Sequence, residues 1–144
     1  MGLLCMNLTI DDIYDLFTWD ASFSDEEYNA RMQQGISEAR KLRNLYPFIQ
    51  PIVAGGNSKS VWGPCAMVIA LKPDEELEGY LHLLLKWLRD MNWPGAEIIF
   101  DRLSKIPMEL MEESLAFSIL CAKQEKDRSW LNTLDALKEH RNWY

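Results

Sequence analysis

The side chains most able to do chemistry in this chain are few and scattered. Its only histidines are His82 and His140, and neither has a partner at metal-ligand spacing. The cysteines are Cys5, Cys65 and Cys121, odd in number, far apart and without a C-x-x-C pair. That pattern argues against a disulfide framework and for a reducing compartment. Cys65 and Cys121 lie among apolar residues and read as small core side chains. Gly55-Gly56-Asn57-Ser58-Lys59-Ser60 holds the ingredients of a phosphate loop. It misses the required G-x-x-x-x-G-K-[ST] spacing, and no buried strand precedes it. Glu75, Glu76 and Glu78, like Glu109, Glu112 and Glu113, could act as paired carboxylates. Both groups fall in first turns of helices, where the dipole alone favours acids. The expectation is a non-enzyme, with no catalytic residues, no metal and no cofactor. The alternative is a small-ligand-binding protein or enzyme with a pocket near the Gly55-Gly56 loop.

Charge says more once it is located. The chain has 22 acidic and 15 basic residues. Residues 1–30 hold Asp11, Asp12, Asp15, Asp20, Asp25, Glu26 and Glu27 with no Lys or Arg, so they account for the whole net charge of −7. The remainder is balanced and lacks the basic stripe that phosphate backbones require, which argues against nucleic acid. Asp11, Asp12, Asp25, Glu26 and Glu27 suit helix starts, whereas Asp15 and Asp20 have no such role. Trp19 lies between them in an acidic loop, the composition of a contact point for a basic protein. The expected partner-binding residues are therefore Asp11, Asp12, Asp15, Trp19 and Asp20, with a basic protein steered toward them by their field.

The elements that would position these residues are all helical. Thr9-Ile10-Asp11-Asp12 is a capping box opening a helix over residues 10–17, with Ile13, Leu16 and Phe17 inward. Ser24-Asp25-Glu26-Glu27 is a second, opening a helix to about Leu45 with Tyr28, Met32, Ile36, Ala39, Leu42 and Tyr46 as its stripe. Gly35 weakens that helix by roughly 1 kcal/mol relative to Ala. A nearly all-apolar helix over residues 60–71 reads as central, its start set or kinked by Gly63-Pro64. Leu77, Leu81, Leu84, Leu85 and Leu88 then recur at helical spacing, followed by Ala96, Ile99, Phe100 and Leu103. Between them Asn92 is placed as an N-cap and Pro94 in a first turn. Two further helices follow, one starting at Pro107 with Met111, Leu115, Ile119 and Ala122 inward. The other covers residues 129–140, with Trp130, Leu134 and Leu137 inward.

A shift of 34 residues lays Pro73 on Pro107, Glu75 on Glu109, Leu77 on Met111 and Leu81 on Leu115. Trp62, Trp93 and Trp130 each stand near a helix start. Repeats of this length mark stacked helical pairs. The expected fold is a single all-α domain, 1–144, of six or seven helices. Residues 1–53 supply N-terminal helices with an acidic face, and 58–144 a right-handed, HEAT-like stack of αα-hairpins.

The run Asp74-Glu75-Glu76-Leu77-Glu78-Gly79-Tyr80-Leu81, followed by Trp87-Leu88-Arg89-Asp90-Met91-Asn92-Trp93-Pro94-Gly95-Ala96, resembles a bacterial family of small HEAT-like domains of unknown function. The family pattern Trp-Leu-x-Asp-x-Asn-Trp-Pro-x-Ala matches Trp87 to Ala96, and the specific match covers about residues 59–105. Pro64 and Gly79 depart from it, where a helix former and a proline are expected. The resemblance implies an all-α fold and carries over no catalytic residue. Some small acidic helical proteins of this general kind look like immunity proteins of bacterial toxin systems. Met1 to Met6 is too short for a signal or a membrane span, and Asn7 stands where a myristoylation pattern needs Ser or Thr. The expectation is a cytoplasmic protein that does not bind membranes. Its favoured function is non-catalytic protein binding, with toxin immunity as the most concrete form and a self-associating structural module as a further alternative.

Overall fold

A computed structural model describes residues 8–51 and 58–141, and these are helical, with no strand among the described residues. The α-helices are α1 (Ile10–Phe17), α2 (Asp25–Ala39), α3 (Trp62–Ala70), α4 (Asp74–Leu77), α5 (Leu81–Trp87), α6 (Ala96–Ser104), α7 (Met108–Gln124) and α8 (Arg128–Arg141). A 3₁₀ turn at Glu78–Tyr80 joins α4 to α5. Taken as one interrupted helix, α4 and α5 bring the number to seven, within the expected six or seven. The interruption falls at Gly79, whose lack of a side chain makes it a poor helix interior.

Sequence signals place most ends. Thr9 and Asp12 form the full capping box, at 3.1 Å and 2.9 Å. Ser24 accepts from the Glu27 N–H at 3.1 Å and starts α2. Gly63 and Pro64 sit inside the first turn of α3, where Pro64 needs no N–H because those donors have no intrahelical acceptor. The helix starts at Trp62, after a 3₁₀ turn at Lys59–Val61, and is neither delayed nor broken.

Two expected ends move. Helix α2 stops at Ala39, six residues short of Leu45. The reason lies 30 residues away: the buried Lys72 ammonium donates to the Arg40 and Leu42 carbonyls at 2.8 and 2.6 Å and holds them out of a helix. Leu42 is accordingly half-buried and Tyr46 exposed, in a separate 3₁₀ turn. At the second site Asn92 is not the N-cap of α6 and Pro94 is not in its first turn. Trp93-Pro94-Gly95-Ala96 is a type II turn closed by Ala96 N–H to the Trp93 carbonyl at 3.1 Å, with Gly95 at φ 84°, ψ −12° as the cap. Asn92 instead donates its backbone N–H to Asp90 Oδ1 at 2.8 Å.

This turn is the packing centre of the chain. The Trp87 indole donates to the Pro94 carbonyl at 3.1 Å, and Trp93 meets Trp62 edge-on at 5.8 Å. A Cβ on Gly95 would lie 2.7 Å from the Ala66 Cβ, so only glycine lets the turn rest on α3. The buried cluster runs from Ile13 to Leu137 through every long helix. Helix α1 lies on α2, α3 on α6, α5 on α7, α6 on α8, and α7 on α8. Trp130 of α8 donates to the Leu85 carbonyl of α5 at 3.0 Å. The internal match of 34 residues is physical at its start: Pro73 and Pro107 both precede their helices, and Leu77 and Met111 are both fully buried. It weakens further on, because α5 touches α6 much less than α7 touches α8.

Candidate functional site

The acidic residues singled out in the sequence are presented by α1 and the loop after it. Asp11 and Asp15, four apart, share one face of α1 and are exposed. The Asp12 carboxyl, below its ordinary value first through the Thr9 backbone N–H and then its hydroxyl, is committed to the capping box. Asp20 folds into an Asx turn, with Oδ1 accepting from the Ser22 N–H at 2.8 Å, and this backbone bond leads in lowering its pKa. Both are therefore firmly ionised at neutral pH. Trp19 between them is 56% exposed. A large aromatic therefore stands in water beside ionised carboxylates.

Asp15 is not the unpartnered charge that the sequence suggests. Arg31, the first cation in the chain, reaches back across the α1–α2 contact to Asp15 Oδ2 at 3.4 Å and to its carbonyl at 3.0 Å, with its guanidinium 4.6 Å above the Phe23 ring. An exposed pair of this kind contributes little to stability, but it lowers the field at that end of the face. The α1–α2 contact is close because residue 35 is glycine: a Cβ there would lie 2.6 Å from Phe17 Cε1.

The other sequence candidates separate into core and surface. Cys65 is fully buried, accepts a long hydrogen bond from Gln50 Nε2 at 3.5 Å, and has its thiol pushed up to about 12 by burial. It is inert packing, as expected. Cys121 departs from the expectation and is only half-buried. His82 is exposed, and His140 lies against the Phe100 ring at 6.2 Å. No group of three His, Cys, Asp or Glu side chains with metal-holding geometry occurs among the described residues. Trp62, Trp87 and Trp130 are buried and Trp93 half-buried. Gly55 and Gly56 lie outside the described residues, as does the pocket expected near that loop.

Two features escaped the sequence. One is the Lys72–Arg102–Asp74 network, in which Arg102 donates to the Lys72 carbonyl at 2.9 Å and to Asp74 at 2.6 Å. The other is an open cavity of about 530 Å³ at the α7–α8 turn, bordered by Lys123, Lys126, Arg128 and Leu131. The cation-rich run from Lys123 to Arg128 was its sequence signal. Lys126 there adopts φ 57°, closing α7 in a position that glycine usually fills.

A family model described as a domain of unknown function, DUF5071, matches residues 65–142. The chain belongs to this family. The match reaches from α3 to the end of α8, further toward the C-terminus than the span of 59–105 that the tryptophan–proline motif carries. No curated protein and no solved structure matches the chain significantly. Within the family region lie the Trp93-Pro94-Gly95 turn and the Trp130–Leu85 bond, both structural. The acidic face of α1 lies outside it. No helix among the described residues is long and apolar enough to cross a membrane.

Proposed function

We propose that this chain is a non-catalytic protein-binding domain whose acidic α1 face takes up a basic protein, with inhibition of a basic toxin as its most concrete form. The observation that carries the proposal is Trp19, 56% exposed next to Asp20 and one short loop from Asp11, Asp12 and Asp15. Exposed tryptophan is costly to leave in water and is a frequent anchor of interfaces. The carboxylates around it supply orientation and encounter rate, and Trp19 supplies contact area. The face stands on the part of the chain outside the family match, which suits a specificity element carried on a shared helical scaffold.

The test is a set of parallel captures from the native lysate with wild-type, Trp19→Ala and Asp15→Lys/Asp20→Lys baits, at low and high salt. The proposal expects the same basic protein on the wild-type bait at low salt, reduced at high salt and on both variants. A protein held equally by all three baits would show that the acidic face is not the binding surface.

A further inference from the structure

The run from Lys123 to Arg128 holds three cations and two acids in six residues, and the turn between α7 and α8 sorts them by sign. Both acids are offset by Arg89, just past the end of α5, which meets Glu125 at 3.6 Å and Asp127 at 3.7 Å. The Asp127 carboxylate also starts α8 by accepting from the Trp130 N–H at 3.0 Å. Lys123, Lys126 and Arg128 are exposed and form no ion pair among the described residues.

These three cations border the open cavity of about 530 Å³. Its deeper residues are apolar, the buried Ala122 and the half-buried Leu131, and Asn132 adds an exposed amide. The volume lies in the range of small-molecule sites, which join an apolar bed to a few placed polar groups. Local preference does not explain the charges. The dipole favours Lys123 in the last turn of α7, but Arg128 opens α8, where a cation is disfavoured. Lys126 stands at φ 57°, where glycine would be relaxed. Two of the three cations are thus held against the preference of their own backbone, at the edge of a cavity, in a chain of net charge −7.

We propose that this cleft binds a small organic phosphate. Lys123, Lys126 and Arg128 hold its dianionic group, and its apolar portion lies on Ala122 and Leu131. Three cations exceed what one carboxylate can pair, whereas a phosphate offers three oxygens to lysine and arginine alike. The concave shape suits a small molecule better than a flat protein surface. None of these residues belongs to the α1 face, so the site is independent of the protein-binding proposal.

The experiment is titration of the isotope-labelled full chain at low salt with phenyl phosphate, inorganic phosphate and phenol, followed by amide chemical shifts. Phenyl phosphate should saturate shifts over residues 122–132 with a Kd below about 1 mM, and the other two should bind at least about tenfold more weakly. Lys126→Gly removes a charge at a position that glycine fits, so the fold is not at risk, and it should weaken phenyl phosphate about tenfold. Arg128→Gln should do the same. Leu131→Ala should weaken phenyl phosphate and leave inorganic phosphate unchanged. Phenyl phosphate that fails to saturate by about 10 mM overturns the proposal. So do shifts centred on another part of the chain, and so does binding indifferent to Lys126→Gly and Arg128→Gln.

Discussion

Replacing Gly95 by alanine tests whether the tryptophan turn organises the fold. Two separate penalties follow. At φ 84° an L-residue is held in the left-handed region, which costs about 1–2 kcal/mol. The new methyl would also meet the Ala66 Cβ at 2.7 Å, with the Trp62 carbonyl oxygen and Trp87 Cζ2 both at 3.1 Å. Overpacking of that severity costs roughly 1–3 kcal/mol. The sum, about 2–5 kcal/mol, is a large share of the ~5–15 kcal/mol that stabilises a domain. Urea unfolding followed by tryptophan fluorescence should show a lower midpoint with an unchanged slope. Ala66→Gly separates the two penalties. In the Gly95→Ala/Ala66→Gly double variant the clash with the Ala66 methyl should vanish, while the backbone part and the tight contacts with the Trp62 carbonyl and Trp87 remain. The cycle should thus give a coupling that favours the double variant, above about 0.5 kcal/mol and below the full overpacking cost of about 1–3 kcal/mol. A loss under about 1 kcal/mol for Gly95→Ala, or purely additive single variants, would refute this reasoning.

Three further outcomes are expected. Gly35→Ala should destabilise by about 1–3 kcal/mol although alanine is the better helix former, because Phe17 is fully buried and has no room to retreat; a higher melting temperature would contradict this. Lys72→Met should cost about 2–4 kcal/mol by stranding the Arg40 and Leu42 carbonyls, whereas Glu76→Gln, whose partner lies 3.6 Å away at the half-exposed edge, should cost under about 1 kcal/mol. Denaturation would rank the two. Burial pushes the Cys65 thiol from its ordinary value of 9.0 in the unfolded chain up to about 12 in the folded one. Above pH ~9 the unfolded chain loses this proton and the folded chain keeps it, so wild type should lose stability relative to Cys65→Ala by up to about 1.4 kcal/mol per pH unit until about pH 12. Parallel slopes for the two proteins would contradict the burial of the thiol.

Local signals placed the helices, and long-range contacts set where they disagree. Helix α1 follows its capping box at one end, and α8 follows the Trp130–Leu134–Leu137 stripe. The end of α2 was hidden because its apolar period continues through Leu42 and Tyr46. What stops it is Lys72, which no local window contains. The turn before α6 was legible and misassigned: Pro94-Gly95 is as strong a type II turn signal as it is a helix start. For the candidate site, the acids and Trp19 were visible by type and position. The Arg31–Asp15 pair was not, since it depends on how closely Gly35 lets α1 approach. Helix α7 carries more apolar residues between Leu110 and Ala122 than one buried stripe can use, and Phe117 and Leu120 are left exposed.

A basic protein that docks on the α1 face, and on no other surface, must shield the amides of that face. Hydrogen exchange of the chain alone and in complex with the protein captured at low salt tests it most directly. Exchange should slow only over residues 10–28, around Asp11, Trp19 and Asp20. Protection over α7 and α8 with none at Trp19 would contradict it.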